Sequence, residues 1–160
     1  MIVALFLLAG VVLVAFAGVL LVGAPYLPTL RPQIRTAFEL LDLKEGQTVL
    51  ELGCGDGKVL IAAAEKGYRA IGVELNLFLW AIAWLRTRRY RDRVQVIWGN
   101  FWRTTWPPAD AVFVFLLDRF MPRLDDYMQK RGGKLVSIAF RIPGAKPAAE
   151  RNSVFLYRYH

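Results

Sequence analysis

Three glycines at alternating positions, Gly53, Gly55 and Gly57, lie in "VLELGCGDG", after an apolar run and before a helical pattern. A glycine-rich turn between a strand and a helix lets the backbone approach a ligand closely. Glu51 stands two residues before the first of these glycines. A carboxylate at this point suits a ligand with a cationic amino group better than it suits a pyrophosphate. The stretch therefore predicts a cofactor pocket with an ammonium-binding end.

Two later segments extend this pocket. Glu74 lies near the end of the next apolar run, "RAIGVEL" (69–75), where a carboxylate can accept hydrogen bonds from both hydroxyls of a ribose. Asn100 and Phe101 lie in "GNFW" (99–102), where an amide can read the edge of adenine and an aromatic ring can cover its face. Together these residues predict a site for an adenosine that carries an amino-acid tail. S-adenosylmethionine is such a molecule.

Alternating strand and helix patterns position these residues. Apolar runs predict strands at 48–53, 69–75, 94–100, 111–117, 134–140 and 153–159. Helical periodicity predicts helices at 33–41, 58–67, 76–92 (with Asn76 as N-cap) and 119–131. This order predicts an α/β domain, Rossmann-like and doubly wound, with a mostly parallel sheet of six or seven strands.

The N-terminal segment predicts a membrane anchor. The run from Ile2 to Ala24 has 23 residues and no charge, enough for a helix to cross a bilayer. A cleaved signal peptide and a buried core helix are the alternatives. Arg31, Arg35 and Lys44 follow the run, so the positive-inside rule places the N-terminus outside and the domain in the cytoplasm, in a single-pass membrane protein. The predicted parts are the transmembrane anchor 1–24, a Pro-rich linker 25–32 and a cofactor-binding domain 33–160.

The composition argues against several kinds of catalytic and metal site. The single cysteine, Cys54, forms no internal disulfide, and the single histidine, His160, is the last residue. Zinc sites built on Cys and His, and hydrolases that need a histidine base, are therefore not expected, and no metal site is predicted. The net charge is +8, and "RTRRYRDR" concentrates part of it. These arginines predict contact with anionic lipid, with a solvated helix end and RNA as alternatives; they are Arg86, Arg88, Arg89, Arg91 and Arg93.

The motifs resemble those of a known family. "VLELGCGDG", "GVEL" and "GNFW" resemble the successive motifs of class I S-adenosylmethionine-dependent methyltransferases. With the apolar N-terminal helix, "YLPT" (26–29) and "FRIP" (140–143), the whole order resembles the small membrane-anchored protein-lysine methyltransferases. That family includes the mitochondrial enzyme that trimethylates the ATP synthase c subunit, and prokaryotic relatives.

The resemblance implies roles for particular residues. The implied cofactor-binding set is Glu51, Gly53, Cys54, Gly55, Asp56, Gly57, Glu74, Leu75, Asn100 and Phe101. Tyr26, with Pro28 and Thr29, would cover the cofactor and the target lysine, and Asp118 would stand at the substrate rim; Tyr26 and Asp118 are the catalytic candidates. Simpler readings remain open: Asn100 and Asp118 as caps of turns, and Tyr26 as an interfacial aromatic.

The implied activity is methylation of a lysine in a membrane protein by a membrane-anchored enzyme. An aromatic mouth formed by Tyr26, Phe101, Trp102 and Phe140 would favour a neutral lysine by desolvation. The partners expected are membrane lipid and a protein substrate with an accessible lysine; nucleic acid is disfavoured. The alternatives are a small-molecule or lipid methyltransferase, a non-catalytic cofactor-binding membrane scaffold and, from the arginines, an RNA methyltransferase.

Overall fold

The computed structural model describes residues 29–160, together with Ile2, Val3, Phe6 and Gly10, which are helical. The predicted anchor over residues 1–24 and Tyr26 in the linker otherwise lie outside the described residues. Within the described part of the chain, no helix is long and apolar enough to span a bilayer. The anchor, the linker and the orientation therefore stay predictions.

Strands and helices alternate along the described domain. The helices are α1 (Arg31–Leu41), α2 (Lys58–Glu65), α3 (Leu77–Thr87) and α4 (Met121–Arg131). The strands are β1 (Thr48–Leu52), β2 (Arg69–Glu74), β3 (Val94–Trp98), β4 (Ala111–Val114), β5 (Gly133–Ile138), β6 (Ala149–Arg151) and β7 (Val154–Tyr159). Single turns of 3-10 helix follow α3 at Arg88–Tyr90 and precede α4 at Asp118–Phe120.

The strands between residues 29 and 160 form one seven-stranded sheet in the order β3-β2-β1-β4-β5-β7-β6. Strands β1 to β5 are parallel, and β7 runs antiparallel to both β5 and β6. The chain winds from β1 outward to β3, and then crosses to β4 on the other side of β1. Ligands of open α/β sheets bind at the carboxyl ends of the strands where the winding reverses in this way. The predicted Rossmann-like sheet is confirmed, and its reversal lies directly beside the glycine-rich turn.

The core lies in two apolar layers, one on each face of the sheet. Side chains of α1, α2 and α3 contribute to the first layer, and Met121, Leu124 and Met128 of α4 to the second. Strand β1 supplies both: Val49 packs in the first layer, and Leu50 and Leu52 pack in the second. Because side chains alternate along a strand, this pattern puts Glu51 on the face that α1 and α2 cover.

The structure departs from the predicted elements at several places; strand β4, for example, ends at Val114 rather than at residue 117. Helix α1 begins at Arg31 rather than Gln33, because Pro32 is compatible with a first helical turn, where its missing N–H costs nothing. Helix α3 ends at Thr87, whose hydroxyl donates to the carbonyl of Ala83 at 2.8 Å, and the predicted continuation to residue 92 forms a 3-10 turn followed by a hydrogen-bonded turn. Strand β6 was not predicted; it is short, and a two-residue turn at Asn152 and Ser153, both with positive φ, joins it to β7.

Candidate functional site

The turn after β1 is a left-handed glycine turn. Gly53, Gly55 and Gly57 have φ of 80°, 53° and 78°. The amides of Gly53 and Cys54 both donate to the carbonyl of Val73 in β2, at 2.8 and 3.1 Å. A Cβ built on Gly53 would meet nothing within 4 Å, so the conformation, rather than crowding, requires glycine there. The turn is thus fixed to β2 and has open space beside its backbone.

Close packing beneath this turn depends on Gly72 in β2, which the sequence reasoning missed. A Cβ at this position would lie 2.6 Å from both the Sγ of Cys54 and a methyl group of Leu60. The signal was a lone glycine inside an apolar strand, which often marks a close approach of backbone. Cys54 itself is buried, and burial raises the pKa of its thiol well above the ordinary value, with the nearby Glu51 adding to the effect. Cys54 therefore fills space as a thiol.

Glu51 is a buried carboxyl group without a partner. Its side chain is 5 % exposed, and its Oε2 atom makes no hydrogen bond to the described residues. Burial raises the pKa of Glu51 well above its ordinary value, and the nearby Glu74 and Asp56 raise it further. A buried carboxylate oxygen is costly to leave unpaired. A cationic group in the space beside the turn would satisfy it.

Glu74, at the end of β2, ties the turn to the neighbouring strand. Its two carboxylate oxygens accept the backbone N–H of Gly55 and that of Asn76, each at 2.8 Å. Burial raises the pKa of Glu74, and these amide hydrogen bonds act in the opposite direction. Asn76 caps α3 as predicted, because its Oδ1 accepts the N–H groups of Phe78 and Leu79 at 2.9 and 3.2 Å. Glu74 thus lies beside Gly55 with its orientation fixed by the backbone.

The side chain of Asp56 makes its contacts within the protein. It forms an ion pair with Arg86 of α3 and accepts the backbone N–H of Lys58 at 3.2 Å. These contacts join the glycine turn to the last turn of α3, which the sequence did not reveal. Leu75 lies between Glu74 and the helix cap, half-buried. The implied cofactor contacts of Asp56 and Leu75 stay predictions.

The segment after β3 carries Asn100 and Phe101. The Oδ1 of Asn100 accepts the N–H of Trp102 at 2.9 Å, so this side chain caps a turn, one of the two readings left open. The ring of Phe101 is half-buried and lies 4.7 Å from that of Trp102 between ring centroids. The carbonyl of Phe101 accepts the indole N–H of Trp106 at 2.7 Å. Hydrogen bonds therefore fix the conformation of this segment at the carboxyl ends of the parallel strands, where the glycine turn also lies.

An aromatic cluster extends from this segment onto α4. The hydroxyl of Tyr127 donates to the carbonyl of Trp102 at 3.0 Å, and its ring stacks on Trp106 at 5.2 Å. The ring of Phe120 lies 6.2 Å from that of Trp102, and the guanidinium of Arg123 lies 4.4 Å from the same ring. Of the predicted mouth residues, Phe101 and Trp102 meet here, whereas Phe140 lies against Phe115 at 6.4 Å. The contribution of α4 was missed, because nothing in the sequence separates Tyr127 from an ordinary core residue.

The two catalytic candidates stand apart from these contacts. Asp118 is exposed, four residues after the end of β4, and its carboxylate accepts the N–H of Arg119 at 2.8 Å. This contact agrees with the simpler reading of a turn residue at the rim of the sheet. Tyr26 lies outside the described residues. The roles of both residues stay predictions.

Comparison with known proteins gives a consistent group of relatives. The family described as ANTKMT methyltransferase domain matches residues 51–149. A protein-lysine N-methyltransferase of Saccharolobus islandicus is 32% identical over 131 residues, covering 77% of this chain and 81% of that protein. A lysine N-methyltransferase of the ATP synthase c subunit, from Xenopus laevis, is 28% identical over 130 residues, covering 77% of this chain. The match spans 56% of the Xenopus protein, so this chain covers little more than half its length.

Solved structures share the fold. An RNA methyltransferase of Salinibacter ruber, in complex with S-adenosyl-L-homocysteine, superposes with a TM-score of 0.75 at 26% identity, covering 83% of this chain and 92% of that one. A SAM-dependent methyltransferase of Thiobacillus denitrificans has a TM-score of 0.58 at 20% identity, covering 69% of this chain and 49% of that one. At the level of family and fold, these matches confirm the predicted resemblance to methyltransferases and the predicted cofactor, S-adenosylmethionine.

Proposed function

Because the chain belongs to the family of the ANTKMT methyltransferase domain, we propose that it is a membrane-anchored enzyme that transfers methyl groups from S-adenosylmethionine to a lysine of a membrane protein. The observation that carries the proposal is the unpartnered oxygen of Glu51, buried beside a left-handed glycine turn where the winding of the sheet reverses. An ammonium group suits that oxygen, and the amino-acid end of the cofactor carries one.

The remaining predicted contacts fit the rest of the cofactor. Glu74 lies at the end of β2, next to the turn, where an acidic side chain can accept ribose hydroxyls. Each of its oxygens already accepts one amide, and a carboxylate oxygen has a second lone pair for a hydroxyl. Phe101 supplies a half-buried ring after β3, and Asn100 fixes the turn that presents it. These residues would hold the ribose and the adenine.

The chain's own residues have two tasks in such a transfer. The bound cofactor supplies an electrophilic methyl group on a sulfonium. The acceptor lysine must lose its proton, although its ordinary pKa is about 10.4. The rings of Phe101 and Trp102 would lower that pKa by desolvation, and the Arg123 guanidinium over Trp102 would disfavour a second positive charge nearby. Holding the neutral amine in line supplies much of the remaining rate, so no dedicated base is required.

The lysine acceptor rests on the relatives, which are named lysine methyltransferases of protein substrates. The membrane location rests on the sequence, because residues 2–24 carry no charge and suffice to span a bilayer. An anchored enzyme meets a membrane-protein substrate in two dimensions, which raises the effective concentration without added affinity. The arginines after the span favour a cytoplasmic domain.

An RNA acceptor is the second candidate, because the Salinibacter neighbour is named an RNA methyltransferase. The arginine-rich segment was the sequence feature that pointed the same way. Three of its five arginines have carboxylate partners, since Arg86 pairs with Asp56, Arg89 with Glu65 and Arg93 with Asp92. Those pairs weaken the charge that a phosphate backbone would meet. Transfer to RNA would fall steeply with salt, whereas transfer to a tethered membrane protein would change little.

Calorimetry with S-adenosyl-L-homocysteine tests the cofactor site. The full chain in detergent should bind it, and Glu74→Ala should abolish binding. Because Glu74 also holds two backbone amides, Glu74→Gln serves as a gentler variant, and thermal unfolding checks that both variants fold. Glu150→Gln is the matched control, since Glu150 is exposed on β6 and should leave the affinity unchanged. Unchanged affinity in a folded Glu74→Ala protein would refute the site.

A further inference from the structure

Helix α3 turns an apolar side to solvent. The exposed fractions of Leu77, Ile82, Trp84 and Leu85 are 48%, 45%, 53% and 58%. Inward, the helix contributes only Ala83 and Thr87 to the fully buried residues. Exposed apolar side chains are common singly, but a contiguous group on one helix marks an interaction surface.

Their spacing makes them one face. Leu77, Ala81 and Leu85 follow at intervals of four residues and Ile82 stands beside them, so they line one side of α3 over little more than two turns. Trp98, at the end of the edge strand β3, extends the face; it is 58% exposed, and its indole N–H donates to the carbonyl of Leu75 at 3.1 Å. We name this surface the α3 face: Leu77, Ala81, Ile82, Trp84, Leu85 and Trp98.

Arginines border one end of the α3 face. Residues 86–93 contain five arginines, and three of them pair with carboxylates, so the border rests on Arg88 and Arg91. The guanidinium of Arg88 lies 5.8 Å from the Trp84 ring, and Arg91 is exposed. An apolar face with tryptophan and a basic border is the composition of segments that lie in the interface of an anionic bilayer.

The buried side of α3 packs against the turn from which α2 starts, and the start of α2 contacts the first residues of the described domain. The Nζ of Lys58 donates to the carbonyl of Thr29 at 3.5 Å. Lys58 opens α2 directly after Gly57, and a Cβ on Gly57 would lie 3.2 Å from Ala83 of α3. The chain therefore enters the described domain beside Lys58 at the start of α2, and the preceding Gly57 packs on the buried side of α3. Thr29 follows Ala24 by five positions, and a stretch of that length reaches at most about 17 Å when extended.

We propose that the α3 face docks on the surface of a bilayer that contains anionic lipid, as a second membrane contact beside the N-terminal segment. Leu77, Ile82 and Leu85 enter the boundary between headgroups and acyl chains, and the tryptophans lie at headgroup level. Arg88 and Arg91 meet the lipid phosphates. Two contacts fix how the domain is turned on the membrane, which a single flexible tether does not. The inference rests on the proposed N-terminal anchor and does not depend on the identity of the methyl acceptor; flotation of the full chain with the vesicles tests the anchor separately.

Site-directed fluorescence tests the proposal without requiring turnover. Cys54 is buried, so a new exposed cysteine is the reactive thiol, and the unchanged chain is the labelling blank. Leu85→Cys places an environment-sensitive probe on the α3 face. Lys146→Cys places it on an exposed residue before β6, at the opposite edge of the sheet, as the matched control. Both full-length proteins are reconstituted in vesicles of phosphatidylcholine and phosphatidylglycerol that carry spin-labelled lipid.

The expected result is blue-shifted emission and quenching by lipid at position 85, and neither at position 146. Replacing phosphatidylglycerol by phosphatidylcholine should reduce the quenching at 85. Arg88→Gln and Arg91→Gln should each lower the docking equilibrium about fivefold. No quenching at 85, or equal quenching at both positions, would overturn the proposal. So would a blue shift at 85 in detergent alone that grows with protein concentration, since a second copy would then cover the face.

Discussion

Replacing Glu51 by glutamine should make the cofactor-free protein more stable and its complex with the cofactor weaker. Glutamine keeps the size of the side chain and removes its charge. In the free protein that charge destabilises the folded state, because Oε2 is buried without a partner among the described residues. The pKa of Glu51 is raised accordingly, first by burial and then by Glu74. In the complex the same charge would pair with the ammonium of the cofactor. The two effects therefore have opposite signs.

The effect of Glu51→Gln on the free energy of unfolding should depend on pH. A carboxyl group whose folded pKa is raised leaves stability unaffected below its unfolded pKa of about 4.3, where both states are protonated. As the pH rises from there towards the folded pKa, the unfolded state ionises first and the folded state loses stability, by about 1.4 kcal/mol for each unit between the two pKa values. Glu51→Gln removes this loss. Its advantage in free energy of unfolding should therefore be absent near pH 4 and present at pH 8.

The magnitudes are measurable. A gain of about 1 kcal/mol at pH 8 raises the Tm of a chain of this size by about 2–4 °C. A hydrogen bond to a charged group contributes about 1.5–3 kcal/mol, so affinity for S-adenosyl-L-homocysteine should fall about 10- to 150-fold. Thermal unfolding at both pH values and calorimetry at pH 8 measure the two effects. Glu150→Gln, which removes an exposed pair with Arg141, should change neither. A Glu51→Gln protein that is less stable at pH 8 and binds with unchanged affinity would show that the Glu51 carboxylate neither destabilises the free protein nor contacts the cofactor.

Three further predictions concern packing around the site. Gly72→Ala should lower the free energy of unfolding by about 1–3 kcal/mol, because its methyl group would lie 2.6 Å from Cys54 and Leu60; denaturation measures this, and adding Cys54→Ala should restore part of the loss. The Cys54 thiol, buried and with a raised pKa, should react with a disulfide reagent only on unfolding, and rapid reaction of the native protein would contradict its burial. Asn100→Ala should cost about 1 kcal/mol through loss of the hydrogen bond from Trp102, whereas Asn100→Asp should keep it; equal stabilities would show that the cap contributes nothing.

The sheet and the glycine turn were predictable because short-range patterns specify them. "VLELGCGDG" indicates a buried strand, a tight glycine turn and a helix start within a few residues, and the structure has β1, the glycine turn with positive φ and α2 in that order. Asn76 predicted the start of α3, because an asparagine directly before an apolar helical run is a strong N-cap signal. The sequence also singled out Glu51, since an acidic residue inside a buried strand has no ordinary packing role.

Features that depend on distant parts of the chain were not predictable. The ion pair between Asp56 and Arg86 joins the glycine turn to the last turn of α3, and either residue alone is typical of a solvated surface. The contact of Tyr127 with Trp102 depends on how α4 returns over the sheet. Strand β6 was missed because three mostly exposed residues have no alternation to detect. Asn100 could be singled out from the sequence, but the sequence left open whether its side chain caps a turn or contacts the adenine.

Methyl transfer in a membrane is the decisive measurement for the proposed activity. The full chain is placed in vesicles with membranes of the source cell and methyl-labelled S-adenosylmethionine, and the products are separated into protein, lipid and RNA. The expected result is a labelled protein band with methylated lysine by mass spectrometry, absent with Glu74→Ala and retained with Glu150→Gln. Label confined to lipid or RNA, or no label although the cofactor binds, would contradict it.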